Sequence, residues 1–522
     1  MAKTPTTKKE KSIEETLWAS ANKLRGTVES SEYKHVVLGL IFLKFTSDKF
    51  EQRKQDLIKE GKEKYLGMVE FYTSKNVFYL APKSRWSFIM ENAKQTDIAL
   101  KIDTALSTIE KNNPSLKGAL PDNYFSRLNL DPSKLASLLD TINDIDTVAD
   151  KEKDIVGVIY EYFLGRFASA EGKGGGEFYT PKCIVNLIAE MLEPYKGKIY
   201  DPACGSGGMF VQSIKFVKNH NGNTKDISIY GQEYTATTYK LAKMNLAIRG
   251  ISANLGDVPA DTFFKDQHPD LKADYIMANP PFNQKEWRAK DELTDDARWN
   301  GYATPPTGNA NYAWILNMTS KLSENGTAGF VLANGSMSSN STGEGELRKQ
   351  MLQNDLVDCM IALPGQLFYT TQIPVCLWFM TKNKKVQHFE DQTRNYRNRE
   401  GETLFIDARN MGTMVDRTHK ELTIDDLAII TKTYHAWRGE SKDGIYEDIA
   451  GYCKSATLAE IEKNDFVLTP GRYVGVAEEE DDGIPFEHKM TELSQTLFVQ
   501  MEESGKLDQA IRQNLKKLGY GN

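Results

Sequence analysis

Cysteine is scarce and scattered. The 522 residues hold five, Cys183, Cys204, Cys359, Cys376 and Cys453, and no two form a CxxC pair. That excludes a disulfide-stapled secreted scaffold and a cysteine zinc site, and reduced thiols are expected. Long apolar runs are lacking as well. The most apolar segment, Val36 to Phe45, is too short to span a bilayer and has Lys34, His35, Lys44 and Asp48 in or beside it. The opening MAKTPTTKKEKSIEE lacks the apolar stretch of a secretory signal. A cytoplasmic protein with no membrane contact is the expectation. Basic excess is absent too: 65 Lys and Arg face 72 Asp and Glu, a net charge of −7. This excludes a protein that coats nucleic acid unaided, though a local basic patch or a partner could supply the grip. No Walker motif and no nuclease Pro-Asp…Asp/Glu-x-Lys grouping stands out, and no metal site is expected.

What the chain has is a change of pattern. Residues 1 to about 168 read as helical. Ser12-x-x-Glu15 forms a capping box, a long helix runs from Glu32 to about Glu60, and further helices are expected at 84–92, 97–110, 132–142 and 148–166. Glycine then crowds Glu171 to Gly176. From there strand signals at 197–201, 227–231, 273–278, 326–333, 356–362, 374–381 and 403–407 alternate with helix signals at 181–194, 208–219, 235–249, 311–324 and 344–354. Alternation at this spacing predicts an α/β fold with a doubly wound, mostly parallel sheet. From about 415 the chain reads as charged and helical. An acidic linker follows at Val476 to Asp482, then an amphipathic segment from Phe486 to Leu518. The expected domains are 1–168, 169–475 and 476–522.

Two stretches carry chemistry. The strand Tyr275-Ile276-Met277-Ala278 leads into Asn279-Pro280-Pro281-Phe282. An amide at a strand's carboxyl end sits where open α/β sheets bind ligands. Pro280 has no N–H, and Pro281 holds it extended. The Asn279 amide oxygen and the Pro280 carbonyl become two fixed acceptors, with Phe282 as a flat face, a set suited to a planar group bearing an NH2. Alone, the tetrad fits an amine site or a plain proline turn. The other stretch, Asp201-Pro202-Ala203-Cys204-Gly205-Ser206-Gly207-Gly208, closes the first strand. It has Phe at 210, where a dinucleotide fingerprint needs glycine, and it lacks the Gly-Lys-Ser/Thr ending of a P-loop. Asp201 has the wrong charge to cradle phosphate and the right one for a ligand with an amino group and a sulfonium. Glu233, closing the second strand, suits ribose hydroxyls. Asp261, with Phe263 alongside, suits the amine of an adenine, and Asp257 is a rival for that contact.

Together these residues resemble S-adenosylmethionine-dependent adenine-N6 DNA methyltransferases, within them the modification subunit of type I restriction–modification systems. The resemblance spans nearly the whole chain. It includes Gly176-Glu177-Phe178-Tyr179-Thr180-Pro181, the DPACGSGG loop, the NPPF tetrad, Gly308-Asn309-Ala310-Asn311-Tyr312-Ala313-Trp314, Leu363-Pro364-Gly365 and Pro470-Gly471-Arg472-Tyr473. It implies a Rossmann-like fold with S-adenosylmethionine as cofactor. Glu177, Phe178, Tyr179 and Thr180 would hold the cofactor from the N-terminal side. Asp201, Ala203, Gly205, Ser206, Gly207 and Gly208 would surround its methionine part, with Glu233 at the ribose and Asp261 and Phe263 at the adenine. Asn279, Pro280, Pro281 and Phe282 would be catalytic. The implied partners are double-stranded DNA, a specificity subunit, a restriction subunit and a second copy of this chain. No target recognition domain is evident. Residues 284–307 read as a lid, and Lys382, Lys384, Lys385, Arg394, Arg397 and Arg399 read either as phosphate contacts or as a solvated loop. Rival functions are transfer to guanine N2 of RNA or to a protein glutamine, or a non-catalytic scaffold on DNA.

Overall fold

The computed structural model describes residues 13–22, 30–147, 159, 162–163, 180–368, 373–389, 395–476 and 486–517. The chain forms two compact units, Met1–Gly475 and Val476–Asn522.

The first unit opens with helices α1 (Ile13–Ala21), α2 (Ser30–Lys59), α3 (Ile98–Asn112) and α4 (Pro132–Asn143), with short helices between them. Helix α2 runs through the middle of this domain because its first half is apolar on every side. Val36, Val37, Leu38, Leu40, Ile41, Phe42 and Leu43 are all buried. Helix α4 starts where it does for a local reason. The Asp131 carboxylate accepts the Ser133 and Lys134 N–H groups, and Pro132 fills the first turn. Ser12 of the expected capping box and most of the expected helix 148–166 lie outside the described residues.

Beyond Thr180 the chain folds into a nine-stranded sheet. Its strands are β1 (Gly197–Asp201), β2 (Ile227–Gly231), β3 (Ala253–Asn254), β4 (Ala273–Ala278), β5 (Leu322–Ala333), β6 (Val357–Ala362), β7 (Val375–Thr381), β8 (Glu402–Asp407) and β9 (Cys453–Thr457). Their spatial order is β9-β8-β6-β7-β5-β4-β1-β2-β3. β7 pairs antiparallel with β5 and β6, β9 pairs antiparallel with β8, and every other pairing in this sheet is parallel. Helices α5 (Lys182–Leu192), α6 (Gly208–Asn219), α7 (Ala236–Ile248), α8 (Asn311–Lys321), α9 (Glu344–Gln353) and α10 (Ile424–Arg438) connect or cover the strands. β5, β6 and β7 are buried along most or all of their length, as strands covered on both faces must be. The doubly wound sheet expected from the alternating signals is present, with one correction. The stretch after 415 is not only helical, since β9 closes one edge of the sheet.

The chain runs outward from β1 through β2 to β3, then returns to the other side of β1 with β4. The strand order reverses between β1 and β4, and open α/β sheets bind ligands outside the carboxyl ends at such a point. The helical domain docks close by, on α7, where Leu241, Met244 and Ile248 join its hydrophobic core.

The second unit contains a single described helix, α11 (Phe486–Lys517). Its apolar side chains, among them Leu493, Leu497, Met501, Leu507, Ile511 and Leu515, are exposed. No helix among the described residues is long and apolar enough to cross a membrane.

Candidate active site

A cleft opens at the β1/β4 reversal. Asp201, Ala203, Cys204, Gly205, Ser206 and Gly208 line one side, and Thr180, Lys182 and Asn279 contribute to the rest. It encloses about 640 Å³ including the solvent at its mouth.

The β1 loop forms the floor. Gly205 and Gly207 have φ of +53° and +81°, left-handed values that glycine adopts without strain. A Cβ at Gly205 or Gly208 would meet nothing within 4 Å, so the backbone faces open space there. Gly207 caps α6, and Asn245 on α7 donates to the Ser206 carbonyl at 2.7 Å. Asp201 is almost fully buried and accepts the Ala203 N–H at 3.0 Å. Burial pushes its carboxyl up to about 8, the negative charge of Glu233 adds to the rise, and the Ala203 hydrogen bond pulls the other way. An acid held neutral at the floor of a polar cleft is poised to ionise when a cation arrives.

Next to this loop lies the end of β2, although none of its residues lines the cleft. The Glu233 carboxylate accepts the Gly205 N–H at 3.0 Å and the Thr235 N–H at 2.8 Å, which ties the glycine loop to β2. Asp261 turns back on itself, its carboxylate accepting the Phe263 N–H at 2.7 Å. Thr262 fastens this segment to the β1 loop by donating to the Pro202 carbonyl at 2.6 Å. Phe263, alongside Asp261, belongs to the hydrophobic core. Its ring is buried between Trp287 and Trp314, with centroids 4.5 and 4.3 Å away. Asp257 is exposed, and its N–H is taken up by Gln267.

On the β4 side the tetrad follows the strand directly. Asn279 donates from Nδ2 to Thr180 Oγ1 at 2.9 Å. Its other end, Oδ1, is buried and has no hydrogen-bond partner. A buried acceptor without a donor costs about 1–3 kcal/mol, and a donor arriving in the cleft would recover that cost. Pro280 is buried, and Phe282 is half-buried against Phe368, edge to face at 5.9 Å. Glu177, Phe178 and Tyr179 lie outside the described residues.

A group of asparagines behind the tetrad carries more of the geometry than the sequence alone suggested. Asn283 follows Phe282 with a left-handed φ of +51°. The buried Asn311 clamps it twice, accepting the Asn283 N–H at 3.0 Å and donating Nδ2 to its Oδ1 at 2.9 Å. Asn309 adds a bond to the same oxygen at 3.3 Å and accepts the Asn311 N–H. The GNANYAW stretch thus fixes the backbone that leaves the Asn-Pro-Pro-Phe tetrad.

The segment expected as a lid, 284–307, is organised from within. The buried Arg288 donates to the carbonyls of Ala289, Lys290, Glu292 and Pro305, and Trp287 and Trp299 are buried. The basic cluster divides: Lys382 and Lys385 are exposed, as a solvated loop would be, and three other members are paired with carboxylates. Lys384 is buried against Asp355 at 2.7 Å, Arg399 is buried against Asp358 at 3.3 Å, and Arg397 pairs with Glu402 at 2.6 Å. These cations neutralise carboxylates around β6 and β8. Arg394 lies outside the described residues.

A doubly wound sheet with its cleft at β1/β4 and Asn-Pro-Pro-Phe on β4 is a Rossmann-like methyltransferase. Comparison with known proteins narrows that class. Residues 13–142 match the HsdM N-terminal domain, and residues 151–482 match N-6 DNA Methylase. The type I restriction enzyme HindI methylase subunit of Haemophilus influenzae is 51% identical over 82% of this chain and 94% of its own length. The MjaIX methylase subunit of Methanocaldococcus jannaschii is 40% identical over 97% and 92%. In fold, the chain resembles the type I methyltransferase subunit of Streptococcus thermophilus, with a TM-score of 0.72 at 23% identity over 88% of this chain and 99% of that one. The chain belongs to the N-6 DNA methylase family, among the methylase subunits of type I restriction enzymes.

Proposed function

We propose that this chain transfers a methyl group from S-adenosylmethionine to the N6 amine of a flipped-out adenine in double-stranded DNA, at a site selected by a separate specificity subunit. The observation that carries this reading is Asn279 Oδ1, a buried acceptor without a donor beside a cleft floored by Asp201. The residues present fit the cofactor. Asp201, once ionised, would hold its amino group, the Gly205–Gly208 backbone leaves room for its methionine part, and Glu233, tied to that loop through the Gly205 N–H, would accept from its ribose. When bound, S-adenosylmethionine supplies an electrophilic methyl on a sulfonium.

An adenine amine is a weak nucleophile because its lone pair is delocalised into the ring. Asn279 Oδ1 and the Pro280 carbonyl would accept its two N–H groups and favour a pyramidal nitrogen with a localised lone pair. Phe282 would hold the ring. The new N–C bond would form as the methyl's bond to sulfur broke, and the amine would then lose its proton to water. Positioning and electrostatics carry the rate. N6 is engaged in base pairing within the duplex, so the target must leave the stack, at a cost of a few kcal/mol.

The supporting partners are a specificity subunit, a restriction subunit and a second copy of this chain, in the cytoplasm. The net charge of −7 fits a subunit that depends on others to grip DNA. The division into a helical domain (1–168), a catalytic domain (169–475) and an assembly tail (476–522) belongs to the same proposal. Its direct test is Asn279→Ala. Methyl transfer in a single-turnover assay should be nearly abolished while S-adenosylmethionine still binds. Turnover like that of the unmodified protein would refute the assignment.

A further inference from the structure

The amide of Asn279 has two ends of nearly the same shape, and only one of them can accept a hydrogen bond from an adenine amine. Packing alone cannot choose between them, so a polar neighbour must. Among the described residues that neighbour is Thr180, the last residue of the Glu177–Thr180 stretch. It lies 99 positions earlier in the chain and immediately precedes the first residues of α5.

We propose that Thr180 is a positioning residue for methyl transfer: its hydroxyl takes the Nδ2 end of Asn279 and so presents Oδ1 to the acceptor amine. The inference rests on Asn279 being the catalytic acceptor. Three observations support it. Asn279 Nδ2 donates to Thr180 Oγ1 at 2.9 Å. Asn279 Oδ1 is buried with no hydrogen-bond partner. Both residues line the same cleft. A hydroxyl can serve either end of an amide, so the incoming base completes the selection. In the reverse arrangement Nδ2 would face the N–H groups of the amine, donor against donor, and Oδ1 would take the threonine proton. With an amine in the cleft, only the observed arrangement pairs every group. Thr180 thereby couples the stretch before α5 to the end of β4. The cofactor motif and the catalytic tetrad share one hydrogen bond.

Three variants, each assembled with the cognate specificity subunit, test this. Thr180→Val keeps the shape and removes the acceptor. Thr180→Ser keeps the acceptor. Asn279→Ala reports on the underlying assignment. The readouts are the single-turnover rate constant of methyl transfer to DNA and the Kd for S-adenosylmethionine by calorimetry. Thr180→Val should lower the rate constant on the order of ten- to a hundredfold, the effect of leaving a buried amide end unpaired. Its Kd should stay within about threefold, a minor part of such an effect. Thr180→Ser should restore most of the rate. The proposal is overturned if Thr180→Val transfers at the normal rate, if its whole defect lies in Kd, or if Thr180→Ser is as slow as Thr180→Val. If Asn279→Ala is fully active, the catalytic assignment itself fails, whatever Thr180 does.

Discussion

The role proposed for Asp201 would make one side chain a sensor of its ligand. Its carboxyl is pushed up to about 8 by burial, so near neutral pH it holds a proton in the ligand-free protein. The folded value lies above the ordinary one of 3.8. The stability this group contributes is therefore present in acid and is lost as pH rises through about 8. An ammonium placed beside it reverses the preference and favours the carboxylate. Binding of S-adenosylmethionine at pH 7 should then release most of one proton, measured by calorimetry in buffers of differing ionisation enthalpy, and Asp201→Asn should remove that release. Equal proton release by the variant would contradict the role given to Asp201. Asp201, Glu233 and the tetrad stood out in the sequence because each lies at or within a few residues of a strand end, whereas Asp261 sits in the loop between β3 and β4. The Thr180–Asn279 bond and the Asn311 clamp on Asn283 were not, since they join residues 99 and 28 positions apart. The packing of Phe263 between Trp287 and Trp314 was not legible for a related reason, since the three are far apart in the chain.

At the scale of elements, legibility followed apolar content. The central strands carry apolar runs, such as 330–333 in β5 and 375–380 in β7, and stood out, whereas β3 has two residues and β9 is the half-polar edge Cys453–Thr457. Edge strands carry little of the periodic signal that marks a buried one. The pairing of Lys384, Arg397 and Arg399 after β7 was not legible, because a charge run looks solvated until its partners fold against it. Helix α7 has a role that periodicity could not show. One side supports the glycine loop through Asn245, and Leu241, Met244 and Ile248 belong to the core of the helical domain. Met244→Ala should cost roughly 2–5 kcal/mol, as for other buried methionines, and should loosen the helical domain. Denaturant unfolding checks this, and a change under about 0.5 kcal/mol, the range of surface substitutions, would show that the docking is not tight.

For the whole molecule, the acidic charge balance and the exposed apolar side chains of α11 fit a subunit that works within an assembly. Surfaces of that kind mark protein contacts more often than bare solvent faces. Removing residues 476–522 should weaken association with the specificity subunit in co-purification or sedimentation and leave S-adenosylmethionine binding intact. Normal assembly by the truncated chain would reject the tail's role. The central claim is transfer to adenine N6. Its most direct measurement is mass spectrometry of nucleosides from DNA incubated with S-adenosylmethionine and the complete complex. The account predicts N6-methyladenine with the unmodified chain and none with Asn279→Ala. Unmodified adenine with both, or a methyl group on another base, would contradict it.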